Sequence, residues 1–494
     1  MAPPPPNSGN VTSGVCPAPR RRPGTAGRLR LGLWSGGGRA APGGYCAAPP
    51  LQAFTHQVSG SRTAQGTRGA PFQASPRAQL LPMGSTALRF LQPVRHSMAA
   101  GLSGPPRHVR PPRLVLGIET SCDDTGAAVL DEAGTVLGEA LQSQKEVHLK
   151  AGGIIPHVAQ QLHRESIQQV VKEALSASGV SVNELAAIAT TVKPGLALSL
   201  EVGLQYSLQL VDRYQKPFIP IHHMEAHALT IRLTEQVEFP FLVLLLSGGH
   251  CILAVARGVS DFLLLGQSID IAPGDMLDKV ARRLSLVKHP ECHGMAGGKA
   301  IEHLAQTGDW QQYTFRLPMQ QYRNCDFSFS GLQSLVNKAI LQKEKEEGIQ
   351  EGEILSCVKD IAAAAQHVVA AHIIQRTHRA MLFCMKNSIL LPKTATLVVS
   401  GGVASNQYIR KGLQTLANAN GFAFLSPPPR LCTDNGVMIA WNGIERLRAG
   451  CGILYSTDGI RYEPKAPLGI DISKRVEEDS IKVPRLRKIQ WSAC

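Results

Sequence analysis

One pattern occurs twice in this chain. Residues 114–118 form a short apolar run, followed by the polar turn Glu119-Thr-Ser-Cys-Asp-Asp-Thr125 and a second apolar run at 126–130. The same succession returns at 241–246, where an apolar run enters Ser247-Gly248-Gly249-His250 and leaves through 251–256. Short apolar runs bounded by turn formers read as buried strands, and a repeated strand–turn–strand unit reads as an internal duplication. Further strands are expected at 187–191, 218–221 and 397–399. Helical periodicity marks 161–176, 196–210, 361–384 and 437–447. This alternation is the signature of an α/β architecture. The charge run at 343–353 reads as a solvated face.

The formal net charge of +14 points at first to a polyanion partner. Its distribution changes that reading. Residues 1–113 hold 14 Arg and no Lys, Asp or Glu; taking these from the 51 basic residues leaves 37, which matches the 37 acidic ones. The basic excess therefore belongs to a leader rich in Pro, Gly, Ala, Ser and Arg, too poor in bulky apolar residues to fold, and similar to an organelle transit peptide. Within it, the stretch from Met83 resembles a compact mitochondrial presequence, with Leu88, Phe90, Leu91 and Val94 on one face and Arg89 and Arg95 outside it. Contacts to RNA would then come from local patches such as Arg282-Arg283, Arg410-Lys411 and 482–488. The 11 cysteines include no CxxC pair, which suits a reducing compartment and argues against a structural zinc site. No apolar run is long enough for a membrane span.

Three turns of Gly, Ser, Thr and Asp follow strands: 120–125, Ser247-Gly248-Gly249 and Ser400-Gly401-Gly402. Ligands of open α/β sheets sit beyond carboxyl strand ends, where small residues let backbone N–H groups approach phosphate. His223 and His227 lie four apart on an expected helix, so their imidazoles share a face, suited to one metal or to a capping and core role. Glu225 stands about 200° around that helix from His223, away from the position a protease of the HExxH type requires. Asp434, just before a helix, suits either a third ligand or a helix cap. Asp278 opens another helix with Lys279, and Glu302 follows Gly297-Gly298, within reach of a ribose hydroxyl or of solvent alone.

Together these segments resemble the threonylcarbamoyladenosine tRNA-modification family, once described as O-sialoglycoprotein endopeptidases, over about 116–462. The motifs that carry the resemblance are Gly117-Ile-Glu-Thr-Ser-Cys-Asp-Asp-Thr125, Gly152-Gly-Ile-Ile-Pro156, His222-His-Met-Glu-Ala-His227 and Leu245-Leu-Ser-Gly-Gly-His250. Asp278-Lys279, Asp326-Phe-Ser-Phe-Ser-Gly331, Ser400-Gly-Gly-Val-Ala-Ser-Asn406 and Cys432-Thr-Asp-Asn435 continue the series. With the leader, the similarity is to mitochondrial members.

The resemblance implies a duplicated actin/sugar-kinase/Hsp70-type α/β fold, two lobes around a central cleft. The expected divisions are a leader at 1–113, a first lobe at 114–235 joined by 437–465, a second lobe with helical insertions at 236–436, and a tail at 466–494. It implies transfer of a threonylcarbamoyl group from L-threonylcarbamoyladenylate to N6 of the adenosine 3′ of the anticodon, in mitochondrial tRNAs reading codons that begin with A, in the matrix. His223, His227 and Asp434 carry over as ligands of one divalent cation, with Fe, Zn and Mg all open. Leu245, Leu246, Ser247, Gly248, Gly249, Asp278, Gly298 and Asn406 carry over as adenylate contacts, and Glu302 as a ribose contact. A homodimer is compatible with the resemblance, and no membrane is implied. The sequence departs from the family pattern at Lys193, Gln161, Gln333 and Lys299. Two competing readings remain at this point, a metalloprotease and a nucleotide-binding module without transfer chemistry.

Overall fold

The computed structural model describes residues 112–484, so the expected leader up to residue 111 and the last part of the basic 482–488 patch lie outside the described residues. β1 (Leu114–Glu119), β2 (Asp124–Leu130) and β3 (Val136–Ser143) come first, then α1 (Lys145–Lys150) and α2 (Pro156–Ser178). β4 (Leu185–Lys193), α3 (Ala197–Tyr214), β5 (Phe218–His222), α4 (His223–Leu229) and α5 (Ile231–Thr234) follow. A second series opens with β6 (Phe241–Leu246), β7 (Cys251–Ala256) and β8 (Phe262–Gln267). It continues through α6 (Pro273–Arg283), α7 (Gly297–Ala305), α8 (Ser330–Glu347) and α9 (Val358–Lys386). β9 (Thr396–Ser400), α10 (Gln407–Ala419), β10 (Ala423–Leu425) and α11 (Pro429–Cys432) come next. α12 (Gly436–Ala449), β11 (Ile470–Asp471) and α13 (Ser473–Glu478) complete the series.

The strands form two sheets, ordered β3-β2-β1-β4-β5 and β10-β9-β6-β7-β8-β11. Read from β8 to β10, the second sheet repeats the first position for position. In each, the first three strands of the series are antiparallel, and the next two join parallel to the opening strand's other side. The duplication is the one the two sequence repeats suggested, and the fold is the actin, sugar-kinase and Hsp70 type of α/β fold that the resemblance implied. Each repeat is one strand longer than the apolar runs indicated. β3 is an edge strand with mostly exposed or half-buried side chains, so it carries little apolar signal. β8 is largely buried and ends at the exposed Gln267.

Burial follows the apolar runs closely. Every residue of β2, β6 and β7 is buried, and β1 is buried after its first residue. α9 extends the expected 361–384 helix at both ends and is buried along most of its length, inside the larger hydrophobic core of the second lobe. Residues 466–484 are no free tail. β11 adds a parallel strand beside β8, and Val476 of α13 is fully buried in the same core.

α12 returns from the second series to the first sheet and packs on β1 and β2, with Met438, Ile439 and Trp441 in a shared core. Glycine makes that approach close enough. A Cβ on Gly117 would meet the backbone nitrogen of Ala440, and the carbonyl oxygen of Gly436 at 2.5 Å. Since helix backbone has no room to yield there, Gly117→Val should cost about 3 kcal/mol or more. Urea unfolding measures it, and an unchanged midpoint would contradict the seating of α12 on β1.

Candidate metal centre and the neighbouring cleft

The first lobe contributes two histidines from one short helix. β5 runs directly into α4, whose N-cap is His222, with Nδ1 accepting the N–H of Met224 at 3.2 Å. Burial, then the neighbouring His223 and Lys193, push His222 down to about 3, so it stays neutral in that role. His223 and His227 come from the same helix face, ring centroids 4.6 Å apart and edge to face. Asp434 arrives from the loop before α12, with Oδ1 3.5 Å from Nε2 of His223 and 3.0 Å from Nε2 of His227. One donor atom from each of the three lies within 4.8 Å of the others. Ligands of a tetrahedral ion at about 2.1 Å stand about 3.4 Å apart, so this donor set fits a divalent cation.

Asp434 is not the cap of α12, the alternative its position suggested. That role belongs to Asn435, whose Oδ1 accepts the N–H of Met438 at 2.9 Å. The Asp434 carboxylate is therefore left to the histidines. Burial works against its charge, but His223 and His227 outweigh burial and hold it well below the usual carboxylate range. Burial also opposes charge on His223, yet the Asp434 and Glu119 carboxylates hold that ring up at about 9.

Residues singled out for no role surround the triad. Oε2 of Glu119 lies 3.2 Å from Nδ1 of His223, and Oγ of Ser121 lies 3.1 Å from the same nitrogen. Burial would raise the Glu119 pKa, but His223 pulls it down. His250, the last residue of the turn after β6, sits close enough for the triad to act on its ring. Burial first, then His223 and His227, bring it to about 4. Glu225 takes no part: its Oε2 is paired with Nη2 of Arg446 at 2.6 Å, with both side chains nearly buried. The base of an HExxH protease is thus absent from the triad.

The second lobe brings most of the other candidates together, in unequal ways. Ser247 bridges its own turn, its Oγ accepting the N–H of Gly249 at 3.3 Å and of His250 at 2.9 Å. Gly248 and Gly249 have open space where a side chain would stand. Its carbonyl accepts from Gly274 at the start of α6, which ties the turn to the helix of Asp278. Asp278 in turn accepts the N–H of Gly298 at 2.7 Å, so the two candidates are bonded to each other. The side chains of Leu245 and Leu246 are both 0% exposed in β6 and belong to the core, which leaves the backbone of these positions for any contact.

Asn406 and Glu302 are engaged within the chain. Asn406 caps α10 through Ile409 and donates to Gln366 at 2.8 Å. Glu302 accepts the N–H of Gln407 at 2.7 Å and pairs with Lys299, one of the departures from the family pattern, at 2.9 Å.

A duplicated α/β fold with Gly-Ser turns at its strand ends and a His–His–Asp cluster beside them defines a member of the actin/sugar-kinase/Hsp70 class that carries a candidate metal centre. Comparison with known proteins narrows the class. The family model described as TsaD, tRNA N6-adenosine threonylcarbamoyltransferase, matches residues 135–441. The chain belongs to this family. It is 69% identical over 382 residues to the mitochondrial tRNA N6-adenosine threonylcarbamoyltransferase of Rattus norvegicus, spanning 77% of this chain and 92% of that protein. The protein of the same name from Homo sapiens is 69% identical over 375 residues, 76% of this chain and 91% of its own length. A bacterial relative from Paramagnetospirillum magneticum, named tRNA N6-adenosine threonylcarbamoyltransferase, is 40% identical over 73% of this chain and 98% of its own length.

Proposed function

We propose that this chain transfers a threonylcarbamoyl group from L-threonylcarbamoyladenylate to N6 of the adenosine 3′ of the anticodon in mitochondrial tRNAs reading codons that begin with A. Relatives at 62–69% identity bear the name of a mitochondrial tRNA-modifying transferase, and this chain is such an enzyme. The observation that carries the site reading is the convergence of His223, His227 and Asp434, two imidazoles and a carboxylate far apart in sequence. Two imidazoles beside one carboxylate suit iron or zinc better than magnesium.

In the transfer, the N6 nitrogen forms a bond to the carbamoyl carbon of the mixed anhydride. The bond from that carbon to the phosphate oxygen breaks, AMP departs with the electron pair, and N6 gives up one proton. No nucleophilic Ser or Cys is needed, because the donor is already activated. When bound, a divalent cation supplies charge stabilisation for the departing phosphate. The Ser247–Gly249 turn offers the phosphate an approach unobstructed by side chains, and the Asp278–Gly298 pair stands at the adjoining wall. On this reading the first lobe comprises 114–235 and 437–465, and the second 236–436 together with β11 and α13. The enzyme works in the matrix as a homodimer.

Incubation of the purified chain with synthetic L-threonylcarbamoyladenylate and unmodified tRNA tests the proposal. Nuclease digestion and mass spectrometry should then find N6-threonylcarbamoyladenosine. Cleavage of a glycoprotein instead would favour the protease reading, and adenylate binding without product would favour the non-catalytic module. Among the described residues no helix is long and apolar enough to cross a membrane.

A prediction about the leader follows from charge. A chain starting at Pro111 retains equal numbers of acidic and basic residues apart from Arg113, so it has no net attraction for tRNA and its contacts must come from local patches. The basic patches to test are Arg282-Arg283, where Arg283 also pairs with Glu344 at 2.5 Å, Arg410-Lys411 and 482–488. Such phosphate contacts make affinity fall with salt. The truncated chain should match full-length turnover and tRNA affinity. Residues 83–110 should send a fused reporter to mitochondria, and 1–82 should not. Loss of tRNA affinity on truncation would make the leader an RNA-binding arm, and a cytosolic reporter would remove the mitochondrial assignment.

A further inference from the structure

Glu119 is not among the three candidate ligands, yet it is fully buried and several donors converge on its carboxylate. The N–H of Ser121 donates to Oε1 at 2.5 Å, the hydroxyl of Thr191 donates to Oε2, and Nδ1 of His223 lies 3.2 Å from Oε2. The fold assembles this group from three neighbouring strand ends. Glu119 closes β1, Thr191 lies near the end of β4, and His223 follows β5, in a sheet whose order is β1-β4-β5 at that edge. A carboxylate this deeply buried persists when charge-assisted hydrogen bonds replace its water.

An ionised carboxylate only accepts, so the ring nitrogen facing it must carry the proton. With hydrogen on Nδ1, the lone pair of the neutral ring resides on Nε2, the atom that points toward Asp434 Oδ1 at 3.5 Å. His227 has no comparable support: its Nδ1 has no hydrogen-bond partner among the described residues. We propose that Glu119, itself held by Thr191 and Ser121, is the positioning residue of the centre. It fixes the ring orientation and tautomer of His223 so that Nε2 is presented to a divalent cation. The inference rests on the reading of His223, His227 and Asp434 as a metal site.

The test titrates Co2+ into the metal-stripped full-length chain, read by calorimetry and by the visible absorption of the bound ion. Wild type should bind one Co2+ and His227→Ala none at this site. Glu119→Gln, close in volume but uncharged, should bind 10- to 100-fold more weakly, roughly the range for loss of a carboxylate behind a ligating histidine. Its thermal midpoint should stay near that of wild type. Thr191→Val, which removes one donor to Glu119 and touches no ligand, should weaken Co2+ binding by about tenfold, and it carries the test if Glu119→Gln does not fold. Wild-type affinity in a folded Glu119→Gln chain, or in Thr191→Val when that variant stands alone, would overturn the inference. Equal Co2+ binding by wild type and His227→Ala would overturn the metal reading itself and the inference with it.

Discussion

Asp434→Ala is expected to lose transfer by about 1000-fold or more, equivalent to about 4 kcal/mol of transition-state stabilisation, while remaining folded. The carboxylate stands between the two histidines, 3.5 Å from one and 3.0 Å from the other, so its removal dismantles the donor set. The same change has little reason to unfold the protein. Helix α12 keeps its cap, because Asn435 supplies it, and the Asp434 side chain is only partly buried, with 21% of its surface exposed. Loss of a charged partner of buried histidines costs about 1–3 kcal/mol, short of unfolding a domain of this size. Thermal unfolding and single-turnover transfer, measured on one preparation, separate the two effects. A folded Asp434→Ala chain with wild-type turnover would remove Asp434 from the centre.

Gly248→Val should weaken AMP and adenylate binding by roughly 100-fold, about 2.7 kcal/mol, and leave tRNA affinity unchanged. No atom of the protein lies within 4 Å of the Cβ position at Gly248, so the fold accommodates a side chain there. What the valine obstructs is the space through which a phosphate reaches the turn after β6. Gly401 offers the contrasting case. It has φ +98, and a Cβ there would collide with the backbone of Leu246, so substitution would strain the turn whatever binds. Calorimetric titration of AMP into folded Gly248→Val checks the prediction, and unchanged affinity would move the adenylate away from this turn.

Much of the architecture was legible because apolar runs coincide with buried strands. β1, β2, β6 and β7 are nearly all buried, and their repeated order exposed the duplication before the sheets were seen. β3 escaped notice because one sheet edge faces solvent, and β11 because two residues carry no period. At the site, His223 and His227 were legible from helical spacing alone. Asp434 was not: it lies 207 residues from His227, and its local sequence equally suits a cap. The resemblance favoured the ligand role over the cap, and the structure gives the cap to Asn435. Glu119 and Thr191 had no sequence signal linking them, since their contact depends on β1 and β4 being neighbours. Leu245 and Leu246 illustrate the opposite limit. A motif names five consecutive residues, while strand pairing buries both leucines in a fully buried β6 and exposes the turn that follows at Gly248 and Gly249.

The central claim is that one divalent cation sits among His223, His227 and Asp434 in the enzyme that modifies tRNA. Anomalous diffraction from crystals of the active chain grown with Mn2+ or Zn2+ tests it most directly. The account predicts one strong peak bounded by Nε2 of His223, Nε2 of His227 and a carboxylate oxygen of Asp434, with both peak and transfer lost in Asp434→Ala. A metal-dependent enzyme whose anomalous peak lies elsewhere, with His227 still hydrogen-bonded to Asp434, would contradict it.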